Sequence, residues 1–136
     1  MNEILREDFD QIAKHVGLNK FQGRKILVTG SHGFIGSYLT RMFDYFGASV
    51  IYGIDNFIAG KKDSLAGMCL DRTHLCNLDI ASEFALTWLK GIDYVLHTAS
   101  IAAPVFYKQH PLETIRANVQ GTWNVLEWAV KTKPIS

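Results

Sequence analysis

Lys25-Ile26-Leu27-Val28-Thr29-Gly30-Ser31-His32-Gly33-Phe34-Ile35-Gly36 is the stretch that decides the fold. Its first five residues are apolar enough for a strand buried on both faces. Three glycines follow at once in the spacing G-x-x-G-x-x-G, and a segment of helical periodicity begins behind them. Strand, glycine turn and helix in this order are what a dinucleotide pyrophosphate requires. The first glycine turns the chain out of the strand. The second lets backbone N–H groups approach the pyrophosphate, and the third lets the helix pack on the sheet. The helix N-terminus adds partial positive charge for the anion. A glycine-rich turn without a ligand is the competing reading, and the flanking strand and helix weigh against it.

Working outward, Phe34, Leu39, Met42, Phe43 and Phe46 predict a helix of about 13 residues ending near Gly47. A second strand is expected over 49–54, ending at the turn signal Asp55-Asn56. Residues 58–71 read as a loop with at most a short helix. A third strand over 73–78 is closed by Asp79. Ser82 then caps a short helix running to Lys90, with Gly91 at its end. A fourth strand spans 93–98, followed by a loop carrying Pro104 and Pro111. The last helix runs from about Leu112 to Lys131, with Ile115, Val119, Thr122, Leu126 and Ala129/Val130 as its expected core stripe. Upstream, Ile4, Leu5, Phe9, Ile12 and Val16 give a helix over 3–17 that packs on the outside of the domain and stops at Gly17. Strands alternating with helices imply an open, doubly wound α/β fold with a parallel sheet. No repeat or linker is evident, so residues 1–136 form one domain.

The bulk numbers narrow the function. The 136 residues suffice for one core, and 48 % apolar with 20 % charged residues is ordinary for a soluble globular protein. Fourteen basic against thirteen acidic residues give a net charge of +1, which argues against nucleic acid as a partner. No apolar run approaches the roughly 20 residues of a membrane helix. The acidic start, Met1 to Asp8, lacks the apolar segment of a signal peptide. Cys69 and Cys76 read as two thiols in a reducing cytoplasm rather than a disulfide, and neither has the partner spacing of a zinc site.

Asp55 ends the second strand 19 residues beyond Gly36, where a carboxylate accepts hydrogen bonds from both ribose hydroxyls of adenosine. It would repel a 2′-phosphate and so favours NAD over NADP, a preference that Lys61 and Lys62 weaken slightly. Asp79 ends the third strand at the same sheet edge; an adenine contact and a cap for the next helix are equally open to it. His97-Thr98-Ala99-Ser100 ends the fourth strand with small residues that leave room for a cofactor, and His97 reads as a packed, hydrogen-bonded core residue rather than a base.

Together, Gly30-x-x-Gly33-x-x-Gly36, Asp55-Asn56-Phe57, Asp79-Ile80, Asp93-x-Val95-x-His97-x-Ala99 and Asn118-Val119-x-Gly121-Thr122-x-Asn124 resemble the extended short-chain dehydrogenase/reductase family. Within it the likeness is to the NAD-dependent sugar-nucleotide epimerases, dehydratases and decarboxylases. The segment from His97 to Thr122, with Pro104, Tyr107 and Pro111, is most similar to UDP-glucuronate decarboxylases. The resemblance covers roughly Lys25 to Val130. It implies a Rossmann-type sheet that ends here after about four strands. It implies that Gly30, Gly33, Phe34, Ile35 and Gly36 hold the pyrophosphate of NAD, and that Asp55, Asn56, Phe57 and the loop through Gly60 hold the adenosine ribose. Asp79 and Ile80 would contact adenine, and Thr98, Ala99 and Ser100 the nicotinamide ribose. Arg116 falls where decarboxylases carry a lysine for the acidic sugar, and an arginine there can pair bidentately with a carboxylate; an exposed helix charge is the competing reading. Asn118 would satisfy backbone groups in the core.

The family performs proton transfer with a Ser or Thr on the fifth strand and a Tyr-x-x-x-Lys pair, whose lysine lowers the tyrosine pKa. Here Tyr38, Tyr45, Tyr52, Tyr94 and Tyr107 are followed four residues on by Met42, Ser49, Asn56, Thr98 and Pro111. No catalytic residue is therefore assigned, and no metal site. The resemblance implies the NAD-binding first part of a sugar-nucleotide enzyme working through a transient 4-keto sugar, with the substrate domain absent and these 136 residues inactive alone. The rivals are a non-catalytic nucleotide-binding or interaction module and a plain NAD-dependent dehydrogenase or reductase. The fourth strand is expected to be an open edge. A homodimer is expected through the last helix, whose face with Arg116, Gln120, Trp123 and Glu127 lies opposite the core stripe. Trp123 and Trp128 are both read as partly exposed interface residues, with core packing as the competing reading, for Trp128 especially.

Overall fold

The computed structural model describes residues 3–17, 20–68, 71–83 and 85–136. Four parallel strands form one sheet in the order β3-β2-β1-β4: β1 is Lys25–Thr29, β2 Val50–Asp55, β3 Thr73–Asn77 and β4 Tyr94–His97. The chain winds from β1 outward to β3, then crosses back to place β4 on the other side of β1. That reversal opens a crevice at the carboxyl ends of β1 and β4. β1 is buried along Ile26, Leu27, Val28 and Thr29, because both its faces are covered.

The two cores divide by strand parity. Ile26, Val28, Ile51 and Tyr94 pack with Phe43, Met42 and Phe46 of α2 (Phe34–Tyr45) and with Phe9 and Ala13 of α1 (Glu3–Val16). Helix α1 therefore covers the sheet through Phe9, whose ring meets Tyr38 and Tyr45, while Ile4 and Val16 stay exposed. On the opposite face, Leu27 and Ile54 pack with Ala85, Leu86, Leu89, Val125 and Trp128.

Several expectations need correction. Residues 80–89 make turns rather than a helix among the described residues; Ser82, Ala85 and Leu89 each donate to the carbonyl three residues back. So short a helix is marginal alone, and here burial of Ala85, Leu86 and Leu89 sets the path instead. Pro104 and Pro111 begin helices α3 (Pro104–Gln109) and α4 (Pro111–Arg116) rather than breaking a loop, since a first helical residue has no intrahelical use for its N–H.

The largest difference lies in the last helix. It runs as α4, a π-helical turn over Ala117–Gly121, and α5 (Thr122–Thr132). Its inward edge is Ala117, Gly121, Val125 and Trp128. Of the expected core stripe, Ile115, Val119, Leu126 and Val130 are each at least 60 % exposed. Phe34 is likewise 95 % exposed rather than core. Trp123 is exposed, but Trp128 is buried in the core rather than partly exposed at an interface. Asn118 is exposed; the asparagine that satisfies buried backbone is Asn124, whose Nδ2 donates to the carbonyls of Ile80 (2.9 Å) and Ser82 (3.1 Å). β4 is not a bare edge, because Ile135 N–H donates to Asp93 O (2.8 Å) and Val95 N–H to Ser136 O (2.9 Å). Cys76 is a free, half-buried thiol whose pKa burial pushes up, and Cys69 lies outside the described residues.

Candidate nucleotide site

The glycine turn hangs from β2. The N–H groups of Gly30 and Ser31 both donate to Ile54 O, at 2.7 and 3.2 Å. Gly30 has φ +70°, and a Cβ there would come within 2.8 Å of the Thr98–Ala99 backbone. A Cβ on Gly36 would collide with the carbonyl oxygen of Gly30. Gly30 and Gly36 are thus demanded by packing alone. Gly33 is different. Its φ of −70° suits any residue, and a Cβ would meet only Gly30 O, at 3.2 Å, a tight contact but far from the collision at Gly36. Packing demands glycine less strictly there than at Gly30 or Gly36, and Gly33 lines the cleft at the sheet edge. Its bare Cα points to a ligand that approaches the backbone closely.

Gly33 also stands at the N-cap of α2 without any side-chain cap. The first amides of a helix lack intrahelical acceptors, so this end offers unpaired N–H donors and positive dipole charge to an anion. Phe34 and Ile35 form its first turn with exposed side chains; what they can offer an anion is backbone.

One cleft gathers Gly30, Gly33, Asp55, Asn56, Gly60, Ile80, Thr98, Ala99 and Ser100. The sequence reading missed Ile101 and Ala117, which line it too. Ala117 is small, buried and one residue from Arg116, but no periodic signal marked it, because the apolar stripe was assigned to the other face. Phe34, Ile35, Gly36, Phe57, Asp79 and Arg116 do not line the cleft. Phe57 adopts φ +59° beside Asp55. Asp79 Oδ1 accepts from Ala81 N–H at 2.9 Å, so its turn-capping role is realised. The exposed Arg116 guanidinium lies 4.0 Å from Asp79 Oδ2, a weak solvent-exposed pair.

Asp55 is buried at the end of β2. Its Oδ2 accepts from His32 N–H (2.9 Å) and its Oδ1 from Phe57 N–H (2.8 Å). Each oxygen retains further acceptor capacity. His97 is committed to structure. Thr122 Oγ1 donates to Asn118 O (2.7 Å), so His97 Nε2 carries the proton shared with Thr122 (3.1 Å), and Nδ1 accepts from Thr29 Oγ1 (2.7 Å). Burial lowers its pKa and keeps it neutral. With both nitrogens engaged, it ties β1, β4 and α5 together and has no lone pair free to act as a base. Among the described residues no cluster of three metal-ligating side chains occurs, and no helix is long and apolar enough to cross a membrane.

A parallel sheet with a glycine turn at its switch point and a carboxylate at the end of β2 defines a dinucleotide-binding Rossmann domain. The model of the NAD dependent epimerase/dehydratase family matches residues 26–135, and the chain belongs to that family. It is 40 % identical over 108 residues to UDP-glucuronic acid decarboxylase 1 of Arabidopsis thaliana, covering 76 % of this chain and 24 % of that protein. The chain thus spans about a quarter of the length of the curated relatives it matches. Among solved structures, DesIV (dTDP-glucose 4,6-dehydratase) of Streptomyces venezuelae, with NAD and TYD bound, superposes with a TM-score of 0.71 at 29 % identity, over 82 % of this chain and 37 % of DesIV. WbmF of Bordetella bronchiseptica shares the fold at 22 % identity, with a TM-score of 0.72 over 81 % of this chain and 33 % of WbmF. The residues fit the cofactor in the family's description: an uncapped helix end, a cleft glycine that packing demands less strictly than its neighbours, and a carboxylate with acceptor capacity left.

Proposed function

We propose that this chain is the NAD-binding portion of a sugar-nucleotide epimerase, dehydratase or decarboxylase. Support comes from one observation above all: residues from four separate strand ends, Gly30 and Gly33, Asp55, Ile80, and Thr98 to Ser100, converge on a single cleft. In this reading the pyrophosphate lies against Gly30, Gly33 and Gly36 and takes the backbone amides of Phe34 and Ile35, while the Gly33 N–H is held by Gly30 O at 3.0 Å. Asp55 accepts the ribose hydroxyls while its second-strand position is fixed by His32 and Phe57 N–H. Ile80 and Asp79 flank adenine, and Thr98 to Ser100 flank the nicotinamide ribose. NAD, when bound, supplies reversible hydride acceptance at sugar C4, which makes a transient 4-keto sugar. Arg116 is proposed as the group that meets an acidic sugar, with Asp79 as its resting partner. No tyrosine of the sequence has a lysine four residues on, so the 136 residues alone are expected not to turn over a nucleotide sugar. The domain is proposed to be single over 1–136 and to work in the reducing cytoplasm.

Titration calorimetry with NAD tests this directly. Asp55→Ala should weaken NAD about 10- to 100-fold, the value of about 1.5–3 kcal/mol for a hydrogen bond to a charged group. Equal binding by both proteins sinks the ribose assignment. Turnover of a nucleotide sugar by the chain alone sinks the inactivity.

We also propose a homodimer through the last helix. Leu112, Ile115, Val119, Trp123, Leu126 and Val130 form one exposed apolar stripe along it, at spacings of three and four. Light scattering should find a dimer at high concentration; a strict monomer refutes this.

A further inference from the structure

The hydrogen bonds that hold His97 do not end in the core; they end at the cleft. Donation runs one way along them. Ala99 N–H donates to Thr29 Oγ1 at 3.3 Å. Thr29 Oγ1 donates to His97 Nδ1 at 2.7 Å, and His97 Nε2–H donates to Thr122 Oγ1 at 3.1 Å. Thr122 Oγ1 donates to Asn118 O at 2.7 Å, inside the π-helical turn of Ala117–Gly121. Both ends of this relay belong to walls of one cleft. Ala99 lines it from the end of β4, and Ala117, next to Asn118, lines it from the helix. Turns of this kind often mark functional places in a helix.

Thr29 is wholly buried and also fixes the neighbouring peptide: its carbonyl accepts from Thr98 N–H (3.1 Å) and from Thr98 Oγ1 (2.7 Å). The Thr98–Ala99 backbone stands 2.8 Å from where a Cβ on Gly30 would lie, so little movement there is open to it. The Thr29 hydroxyl can accept from Ala99 N–H while its own hydrogen is taken elsewhere, and His97 Nδ1 takes it. A protonated ring donates from both nitrogens and offers Thr29 no acceptor. No charged side chain offsets this. Thr29 faces the ring from β1 and Thr122 from α5, and burial is the one cause that lowers its pKa. The charged groups on the surrounding elements are engaged elsewhere: Asp79 with Ala81 N–H and Arg116, Asp93 with Lys25 N–H and Arg24, and Glu127 with Lys131.

Resting on the proposed NAD site, we infer that His97 is a positioning residue whose neutral form dinucleotide binding requires. Through Thr29 it orients the Thr98–Ala99 wall, and through Thr122 it holds the π-helical turn that carries Ala117. NAD affinity is then level above neutral pH. It falls below pH 6.5, as the ring takes up a proton and the relay breaks.

Calorimetry of the 136-residue chain with NAD at pH 7.5 and pH 5.5 tests this, with folding checked by circular dichroism at both. A merely structural role would lower the number of sites as protein unfolds, and would leave the affinity of the folded fraction alone. Wild type should bind NAD about fivefold more weakly at pH 5.5. His97→Gln keeps one acceptor and one donor and does not titrate; it should bind within about threefold of wild type at pH 7.5 and equally at both pH values. Thr29→Val should weaken NAD about tenfold at pH 7.5, and Thr29→Ser should restore it. Thr122→Val breaks the other arm and serves if Thr29→Val melts. Three results each overturn the inference and leave the NAD site standing. One is a wild-type affinity equal within twofold at the two pH values. Another is a pH dependence that survives in His97→Gln, which would assign it to Asp55 or His32 in the cleft's ribose half. The third is a folded Thr29→Val or Thr122→Val that binds as wild type does. Wild type that binds no NAD at pH 7.5 overturns the site and the inference together.

Discussion

The β1–α2 unit and the α4–α5 helix are both marked by glycines and both amphipathic, yet the sequence describes one faithfully and the other inside out. In the first, chemistry is local. Gly30 needs a positive φ, Gly36 has no room for a Cβ against Gly30, and the two positions are six residues apart. In the second, the strongest apolar stripe faces solvent, and the helix meets the sheet through Ala117, Gly121, Val125 and Trp128. Gly121 is small because a Cβ would come within 2.7 Å of Ile80 Cγ2. Periodicity reports that a face seeks cover. It does not report what supplies the cover, and a close helix–sheet contact favours small residues that no hydrophobicity count rewards.

The sharpest way to break this contrast is Trp128→Ala. Trp128 is 7 % exposed and packs in the core beneath the sheet, so its loss should cost about 3–5 kcal/mol in urea or thermal unfolding. Its Nε1 is buried without a partner among the described residues, so Trp128→Phe should cost much less. Equal losses would mean that volume is not what this tryptophan contributes.

Gly36→Ala comes next. Alanine favours a helix interior by about 1 kcal/mol over glycine. Against that stands the collision of its Cβ with the Gly30 carbonyl, which is backbone and cannot rotate away. A net loss of about 2–3 kcal/mol is expected by denaturant titration. Gly33→Ala should cost less than Gly36→Ala, within about 1 kcal/mol of wild type, while weakening NAD, since its Cβ would meet Gly30 O at 3.2 Å rather than collide with it. A large stability loss at Gly33 would remove the distinction between packing glycines and ligand glycines.

Much of the fold was legible for this reason. The strand boundaries, the order of elements and the residues at the strand ends follow from short-range signals: apolar runs, turn residues and glycines. The cleft inherits that legibility, since sheet topology brings the strand ends together. What was not legible depends on contacts distant in sequence. Ala117 enters the cleft only because Gly121 lets the helix approach Ile80, and His32 is buried only because the loop from Phe57 to Lys61 folds back on it. The exposed position of Phe34 has the same origin, for the helix rotates to set Gly36 against Gly30.

The two buried histidines give a smaller, pH-dependent effect that spans both regions. Burial lowers the pKa of His32 in the turn and of His97 under α5. Unfolded, each titrates near the ordinary value of about 6.5 and binds more protons than the folded form below it. Their contribution is thus fully present above pH 6.5 and is lost as pH falls from there through the lowered folded values. Unfolding free energy should be flat above about pH 7 and decline toward pH 5. His97→Gln should remove part of the slope, and a slope left intact would mean that another group carries it.

The smallest expected effect is at the exposed stripe. Leu126 is 61 % exposed within one chain, so Leu126→Ala should change monomer unfolding by no more than about 0.5 kcal/mol. The same change should weaken self-association, and Leu126→Glu should abolish it, because a charge would be buried unpaired between helices. The test is two-sided. Unfolding followed at low concentration isolates the monomer, and light scattering at high concentration isolates the pair. If Leu126→Ala costs the dilute protein as much as a core truncation, the stripe is internal and the burial pattern of the last helix is wrong. If neither variant alters association, the stripe is covered by something other than a second copy. A selective loss of association alone would show the same apolar periodicity serving two different neighbours: the sheet on the edge of Val125 and Trp128, and a partner helix on the edge of Leu126.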